Sequence, residues 1–508
     1  MTRVVLAVSE NSAFVPVAGG SYKEGVVGQP IAVNPLISQN QPDLDISVLV
    51  YAKLADLVTA YDESKDGRVY SLKLKEGMKW SDNEPLTSDD VIFTIQTIQD
   101  PSTKSPLSKN WQGVVAERMS ELQIQLNLPA PYAFFTDNIN SLLVLPKHIF
   151  GAIPPANLTL SEYNLEPIAG GPYRFKELIK RKDGFITDYV LTVNPNYPGE
   201  TPYIKDFYFK FFSDTNSLID ALKLRQINGY GSLTPLPAAM ESLSNVQIER
   251  IPMPRYYAIF MNQNVNPNLK NAGLRKALLE AVDKDRINSD VFGGKANVIQ
   301  GPLFDLSTTT ADASLSLDLA NAKNLVSNFK KNNKLTLNLV VPQIDFLQKT
   351  AELIKEDWLA AGVDEIDVTT LSPDDLMNNV VKARNYELLL FGNALENPSD
   401  LFPFWHSSGR FYPGLNLALY QNSKTDNYLE AVRETNDPNQ IQTHLKNTLN
   451  LIRADNPAIF LFSLPYTYIH TNNLSGFAFA NNDRFLIAPA DRFQGANQWS
   501  VSMVRVLK

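Results

Sequence analysis

YSLKLKEGMKWSDNEPLTSDDVIFTIQTIQDP, residues 70 to 101, orders a strand, a tight turn and a capped helix in one short run, and its reading sets the frame for the rest. Tyr70, Leu72 and Leu74 alternate with Ser71, Lys73 and Lys75, the period of a half-buried strand. Ser81-Asp82-Asn83-Glu84-Pro85 supplies turn chemistry. Thr87 or Ser88 can accept from the free amides of a following helix, whose apolar positions Val91, Ile92, Ile95 and Ile98 recur at helical spacing. Asp89 and Asp90 fall in its first turn, where the helix dipole favours anions, and Pro101 lies just past its end.

The chain of 508 residues is long enough for two to four domains and a large core. With 44% hydrophobic and 20% charged residues it is globular in composition. A net charge of −8, from 46 basic and 54 acidic residues, gives no electrostatic footprint for nucleic acid. There is no cysteine, so disulfides, thiol nucleophiles and cysteine-held metals are excluded. Residues 1 to 12 lack the basic start and long apolar run of a signal peptide, and no stretch of 18 apolar residues occurs. Any export or anchoring segment is therefore expected upstream. The short run Val4 to Val8 reads as a strand or a cloning remnant.

Proline and glycine mark the seams. Gly19-Gly20 opens a strand-like segment that closes at Asn34-Pro35, and Asp45 to Leu57 reads as helix. Leu122, Ile124, Leu126 and Leu128 define a one-sided strand over Glu121 to Leu128. The aromatic run Ile204 to Phe212 reads as a strand packed on both faces. From residue 255 to 470 strands and helices alternate. Leu335–Val341, Ile366–Leu371 and Glu387–Phe391 read as strands, joined by helices over Phe346–Ala361 and Pro373–Arg384. This βαβαβ order predicts parallel strands with right-handed crossovers. Ligands of open α/β sheets gather at the carboxyl ends of such strands, which makes the following loop, Gly392-Asn393-Ala394-Leu395-Glu396-Asn397-Pro398, a candidate binding wall.

Catalytic motifs are scarce. The four histidines, His148, His406, His444 and His470, form no HExxH pattern. Gly229-Tyr230-Gly231-Ser232-Leu233 lacks the closing glycine of a nucleophile elbow, and Gly294-Lys295 runs into Ala296 without a phosphate loop. Asp89-Asp90 and Asp374-Asp375 both stand at predicted helix starts, where capping explains them. Glycosidase carboxylates have no spacing of their own, so a hydrolase stays open beside a binding protein.

The order of short motifs from Gly19 to about Phe477 resembles the family 5 extracellular solute-binding proteins, the oligopeptide-, dipeptide- and nickel-binding components of ABC importers. The landmarks are Asn34-Pro35, Val50 to Leu54, Leu72 to Pro101, Leu145 to His148, Gly170 to Tyr173, Asn194 to Tyr197, Asn262 to Asp283 and Asn456 to Ile459. The resemblance implies an α/β, two-lobed periplasmic-binding-protein-like fold with a hinge and an additional subdomain inserted in the first lobe. On this chain that gives residues 19–45, 168–254 and 471–508 as lobe I, 46–167 as the insertion and 255–470 as lobe II. It further implies a monomer outside the cytoplasm, periplasmic or cell-surface and anchored through an upstream segment. Such a monomer uses no cofactor and breaks no bond; it encloses a peptide or similar extended polar solute and presents it to an ABC permease.

In peptide-binding relatives an aspartate four residues before a proline of the 392–398 loop holds the peptide amine. That position here is Ala394, with Glu396 two residues on and Asp400 beyond. A non-peptide solute in the same fold, such as an oligosaccharide, metal complex or haem, is the alternative, together with a surface hydrolase or sensor. The few histidines and the lack of thiols weigh against tight capture of a soft metal. The resemblance also implies ligand contacts at Gln29, Pro30 and Ile31 through backbone pairing, and at Asn110 and Trp111 in the insertion. Trp405 and His406 follow the candidate wall. For both tryptophans a core position is the competing reading. Arg275 reads as structural and Asp283 as the cap of a following helix.

Overall fold

The computed structural model describes residues 12–303, 317–479 and 485–507. The expected strand at Val4–Val8 lies outside them. The chain divides into two compact units, residues 1–251 with 466–508, and residues 252–465.

The first unit is built on a seven-stranded sheet in the order Val246–Ile251, Tyr466–Thr471, Gly229–Ser232, Ser21–Val27, Asp206–Phe212, Ile186–Val193, Tyr173–Lys180. Ser21–Val27 runs parallel to both of its neighbours, and the other pairings are antiparallel. Because Tyr466–Thr471 pairs with Gly229–Ser232 and Val246–Ile251, residues 466–470 belong to this unit and not, as the sequence suggested, to the second lobe. In Asp206–Phe212 only Phe207, Phe209 and Phe211 are fully buried. The alternate positions are half-buried, so the strand has one core face where two were expected. That core gathers Tyr22, Phe207, Phe493 and Trp499 within ring-contact distance.

Within the same unit a separate antiparallel sheet runs Val58–Glu63, Val69–Leu74, Gln123–Asn127, Val115–Ser120. Its second strand is the start of the segment quoted above, with Tyr70, Leu72 and Leu74 buried and Ser71 and Lys73 exposed. The helix Ser88–Gln99 follows, capped reciprocally: the Asp89 amide donates to Thr87 Oγ1 (3.3 Å) and the Thr87 amide to Asp90 Oδ2 (2.8 Å). Asp90 Oδ1 also accepts from the Lys147 amide (2.8 Å), so this carboxylate fastens a distant segment to the helix start. The predicted helix over 45–57 forms as Gln41–Val50 and the single turn Leu54–Leu57.

The second unit has a six-stranded sheet ordered Asn297–Val298, Ala458–Ser463, Arg255–Met261, Leu388–Ala394, Thr336–Pro342, Glu365–Leu371. The last three are mutually parallel, as the βαβαβ order requires. Arg255–Met261 is antiparallel to both neighbours, so the sheet is mixed. The first crossover helix, Asp345–Ala360, buries Trp358, whose Nε1 donates to Leu278 O (2.9 Å). The second is not the regular helix expected over 373–384. It is one α-turn, Pro373–Asp375, followed by a π-helical stretch, Leu376–Val381. Arg384 then takes a left-handed φ of 56° and ends it. Arg275 is structural as expected, donating to the carbonyls of Leu269, Lys270 and Asp455, and Asp283 Oδ1 caps Lys284–Phe292 by accepting from the Arg286 amide (2.9 Å).

Candidate functional site

In the second unit the strand Leu388–Ala394 runs three residues further than expected, so Gly392, Asn393 and Ala394 lie in the sheet and not in a loop. Their cross-strand partners are Tyr257, Tyr256 and Arg255. Gly392 is small for a local reason. A Cβ there would stand 2.8 Å from Tyr257 Cε1, and that ring is held between Phe346 and Phe462. Asn393 points inward, where its Nδ2 donates to Tyr256 Oη (2.9 Å), and Trp405 Nε1 donates to the same oxygen (3.2 Å). Burial raises the Tyr256 phenol pKa, so the oxygen remains a protonated acceptor. The chain then turns with the Leu395 amide on Pro254 O (2.7 Å) and the Leu395 side chain buried.

Burial therefore alternates across the strand end: Asn393 and Leu395 in, Ala394 and Glu396 out. The strand ends at Ala394 and Glu396 lies in the bend that follows, so an exposed methyl closes the strand and an exposed carboxylate comes two residues later. Asp400 does not join them. It is buried and bound by Arg433 through Nε (2.9 Å) and Nη2 (2.7 Å). Arg433 in turn lies 4.0 Å over the Phe402 ring, which stacks on His406 at 4.0 Å and 11°. Trp405 is a core residue, packed among Phe260, Tyr420 and Phe460, so its place as a pocket wall is corrected to a support for Tyr256. His406 is likewise occupied, with Nδ1 on Ser408 Oγ (2.7 Å) and Nε2 on Glu430 Oε1 (3.3 Å).

In the first unit Gln29 Oε1 accepts from the Ile186 amide (2.8 Å). Pro30 has no amide to offer, and the Ile31 amide is already given to Asp43 Oδ1 (2.8 Å), beside Ala32 on Oδ2 (3.0 Å). Strand-like pairing with a ligand at 29–31 would thus draw on carbonyls and on the Ile31 side chain, which is 71% exposed. Trp111 is buried edge-on against Phe135 (5.4 Å, 69°), and its carbonyl accepts from Gln99 Nε2 (2.6 Å). Its ring is core and not a stacking platform. Asn110 is half-buried, with its carbonyl accepting from Asn138 Nδ2 (2.9 Å).

A depression of about 490 Å³ elsewhere in this unit is lined by Glu84, Thr87, Asp89, Asp90, Lys147 and His148. Much of its polarity is spent internally: Asp90 on the helix cap, His148 Nε2 on Asp82 (2.8 Å), and Asp89 beside Arg118 (3.4 Å) and Lys147 (3.9 Å). It is the local consequence of the capped helix.

A buried network in the first unit has no counterpart in the sequence reading. Arg492 donates to Glu24 Oε1 through Nε (3.0 Å) and Nη2 (2.9 Å), and to Asp45 through Nη1 (2.8 Å) and Nη2 (2.5 Å). Tyr468 Oη donates to Glu24 Oε2 (2.8 Å) and is joined by Tyr22 Oη (2.8 Å). Burial outweighs the guanidinium and pushes the Glu24 carboxyl up to about 7. The network ties Ser21–Val27 to the helix Gln41–Val50, and so fixes both ends of the 28–40 segment that carries Gln29 to Ile31. These partners are hundreds of residues apart, and only the fold brings them together.

The sheets and the exposed strand end define a two-unit α/β binding scaffold. The chain belongs to the bacterial extracellular solute-binding proteins of family 5, whose model matches residues 54–412. It is 25% identical over 512 residues to the oligopeptide-binding protein AppA of Bacillus subtilis, covering 93% of this chain and 91% of that one. The crystal structure of the ABC transporter substrate-binding protein CtaP of Listeria monocytogenes superposes with a TM-score of 0.83 at 26% identity, over 95% of this chain and 99% of that one. The nonapeptide complex of Bacillus subtilis AppA shares the fold, with a TM-score of 0.75 at 23% identity over 96% and 100% of the two chains.

Proposed function

We propose that this protein captures an oligopeptide or a similarly extended polar solute and delivers it to the membrane subunits of an ABC importer. The observation that carries the reading is the strand end at Asn393 to Glu396. Asn393 is fixed on Tyr256, which Trp405 also holds, and Leu395 is buried, while Ala394 and Glu396 are exposed. Family membership and the likeness to an oligopeptide-binding protein supply the solute class. Glu396 takes the part of an amine acceptor, and Gln29 to Ile31 and Asn110 are secondary contact candidates. The protein acts as a monomer outside the cytoplasm and releases its solute chemically unchanged.

Native mass spectrometry of the purified protein, followed by denaturing release and sequencing of what leaves it, tests this. A heterogeneous set of intact peptides supports the reading, and cleavage of added peptides on incubation refutes it. One observation favours a second reading, a non-peptide solute: Ala394 places a methyl where peptide-binding relatives place a carboxylate. A single released non-peptide mass would select it.

A further inference from the structure

The turn Arg410 to Leu415 in the second unit shows Phe411, Tyr412 and Leu415 to solvent, with 61%, 58% and 44% of their surface exposed, and Pro413 between them is exposed as well. Consecutive bulky apolar side chains left in water contribute nothing to folding and invite association, so their retention calls for a partner. The turn is held in place. The buried Arg384 guanidinium donates Nε to Arg410 O (2.9 Å), Nη2 to Gly414 O (2.6 Å) and Nη1 to Val381 O (2.7 Å). The Gly414 amide closes on Phe411 O (2.7 Å), and the Asn416 amide on Gly409 O (3.0 Å).

Two cations flank the aromatic rings. Lys382 Nζ stands 5.5 Å from the Tyr412 ring centre and Arg410 Cζ 5.7 Å from that of Phe411. Among the described residues neither is paired with a carboxylate. Lys382 donates to Asn378 Oδ1 (2.7 Å), and Arg410 to Ser407 O (2.9 Å) and Gln421 Oε1. In a chain of net charge −8 this spot is locally positive.

We propose that the 410–415 turn is a contact site for an anionic lipid headgroup layer. Phe411, Tyr412 and Leu415 enter the interface, and Arg410 and Lys382 meet lipid phosphates. An apolar Phe411 ring and an amphipathic Tyr412 ring beside long cationic side chains suit the headgroup level of a bilayer. A single turn is too small for the core of a stable protein interface, whereas shallow and reversible lipid contact needs no more area than this. The contact is weak, and it orients the second unit at a membrane without anchoring it.

The test is co-sedimentation of the full chain with phosphatidylcholine vesicles and with vesicles of equal parts phosphatidylcholine and phosphatidylglycerol, at low and high salt. We expect partition onto the anionic vesicles that high salt abolishes, falling about fivefold for each of Arg410→Gln and Lys382→Gln. The double variant Phe411→Ser/Tyr412→Ser should fall about tenfold or more with an unchanged melting temperature, since both side chains are already in water. Equal partition onto neutral vesicles, no partition of the wild type, or no loss in the double variant overturns the proposal. Loss of uptake in a reconstituted importer with vesicle binding intact would assign the turn to the permease and also overturns it.

Discussion

Arg492 and Glu24 stand 468 positions apart in sequence and meet in the interior of the first unit, where one guanidinium serves two carboxylates. Arg492→Met keeps the bulk and removes the charge, leaving Glu24 and Asp45 buried without their cation. Losing one member of a buried ionic cluster typically costs about 3–5 kcal/mol, and that loss should appear in urea unfolding at neutral pH. A change under about 1 kcal/mol would show that the guanidinium contributes no net attraction to the cluster.

The same network sets a pH dependence. Glu24 is pushed up from 4.5 to about 7 by burial, so between those values the folded state holds a proton that the unfolded state has released. Stability from this group is therefore full below about pH 4.5 and is lost as pH rises through about 7, a swing on the order of 3 kcal/mol. Glu24→Gln should flatten that part of the stability curve when urea midpoints are compared from pH 5 to 8. A slope identical to that of the wild type would assign the titration elsewhere.

At the strand end, Glu396→Ala should weaken binding of a released peptide by about tenfold, the scale of one charge-assisted hydrogen bond, with little change in the melting temperature of the unliganded protein. The converse variant, Ala394→Asp, should tighten binding of free-amine peptides and leave their N-acetylated forms unaffected. Calorimetry on both peptide forms decides this. Unchanged binding with lowered stability in Glu396→Ala would remove the loop from the site.

Gly392→Ala tests the packing beneath that wall. The new methyl must displace the Tyr257 ring, which Phe346 and Phe462 hold from two sides, and overpacking of this kind costs about 1–3 kcal/mol. Thermal unfolding should show the loss, and a neutral result would mean that the ring can retreat.

Periodicity made much of this legible, because local pattern and burial agree. Tyr70 to Leu74 forms its strand, Thr87 with Asp90 caps its helix, and the three parallel strands of the second unit follow their crossovers. The antiparallel pairing of Arg255–Met261 was not legible, since a strand buried along almost its whole length carries no mark of direction. The tryptophans show the limit for the site. A lone Trp reads alike in a wall or a core, and only the partners Phe135 and Tyr256 place Trp111 and Trp405 inside. Asp43, Arg384 and Arg492 were invisible as key residues because their partners are main-chain groups or residues from remote segments.

Ile251 and Tyr466 are register partners at the point where the chain leaves the first unit and where it returns. During synthesis the ribosome therefore finishes all of 252–465 before it makes the strand that sits second in the seven-stranded sheet. The later-numbered unit can fold first, while the earlier one waits with Gly229–Ser232 and Val246–Ile251 lacking their shared neighbour. Nascent chains stalled before residue 466 should accordingly protect the 252–465 region from protease and leave 229–251 cleavable.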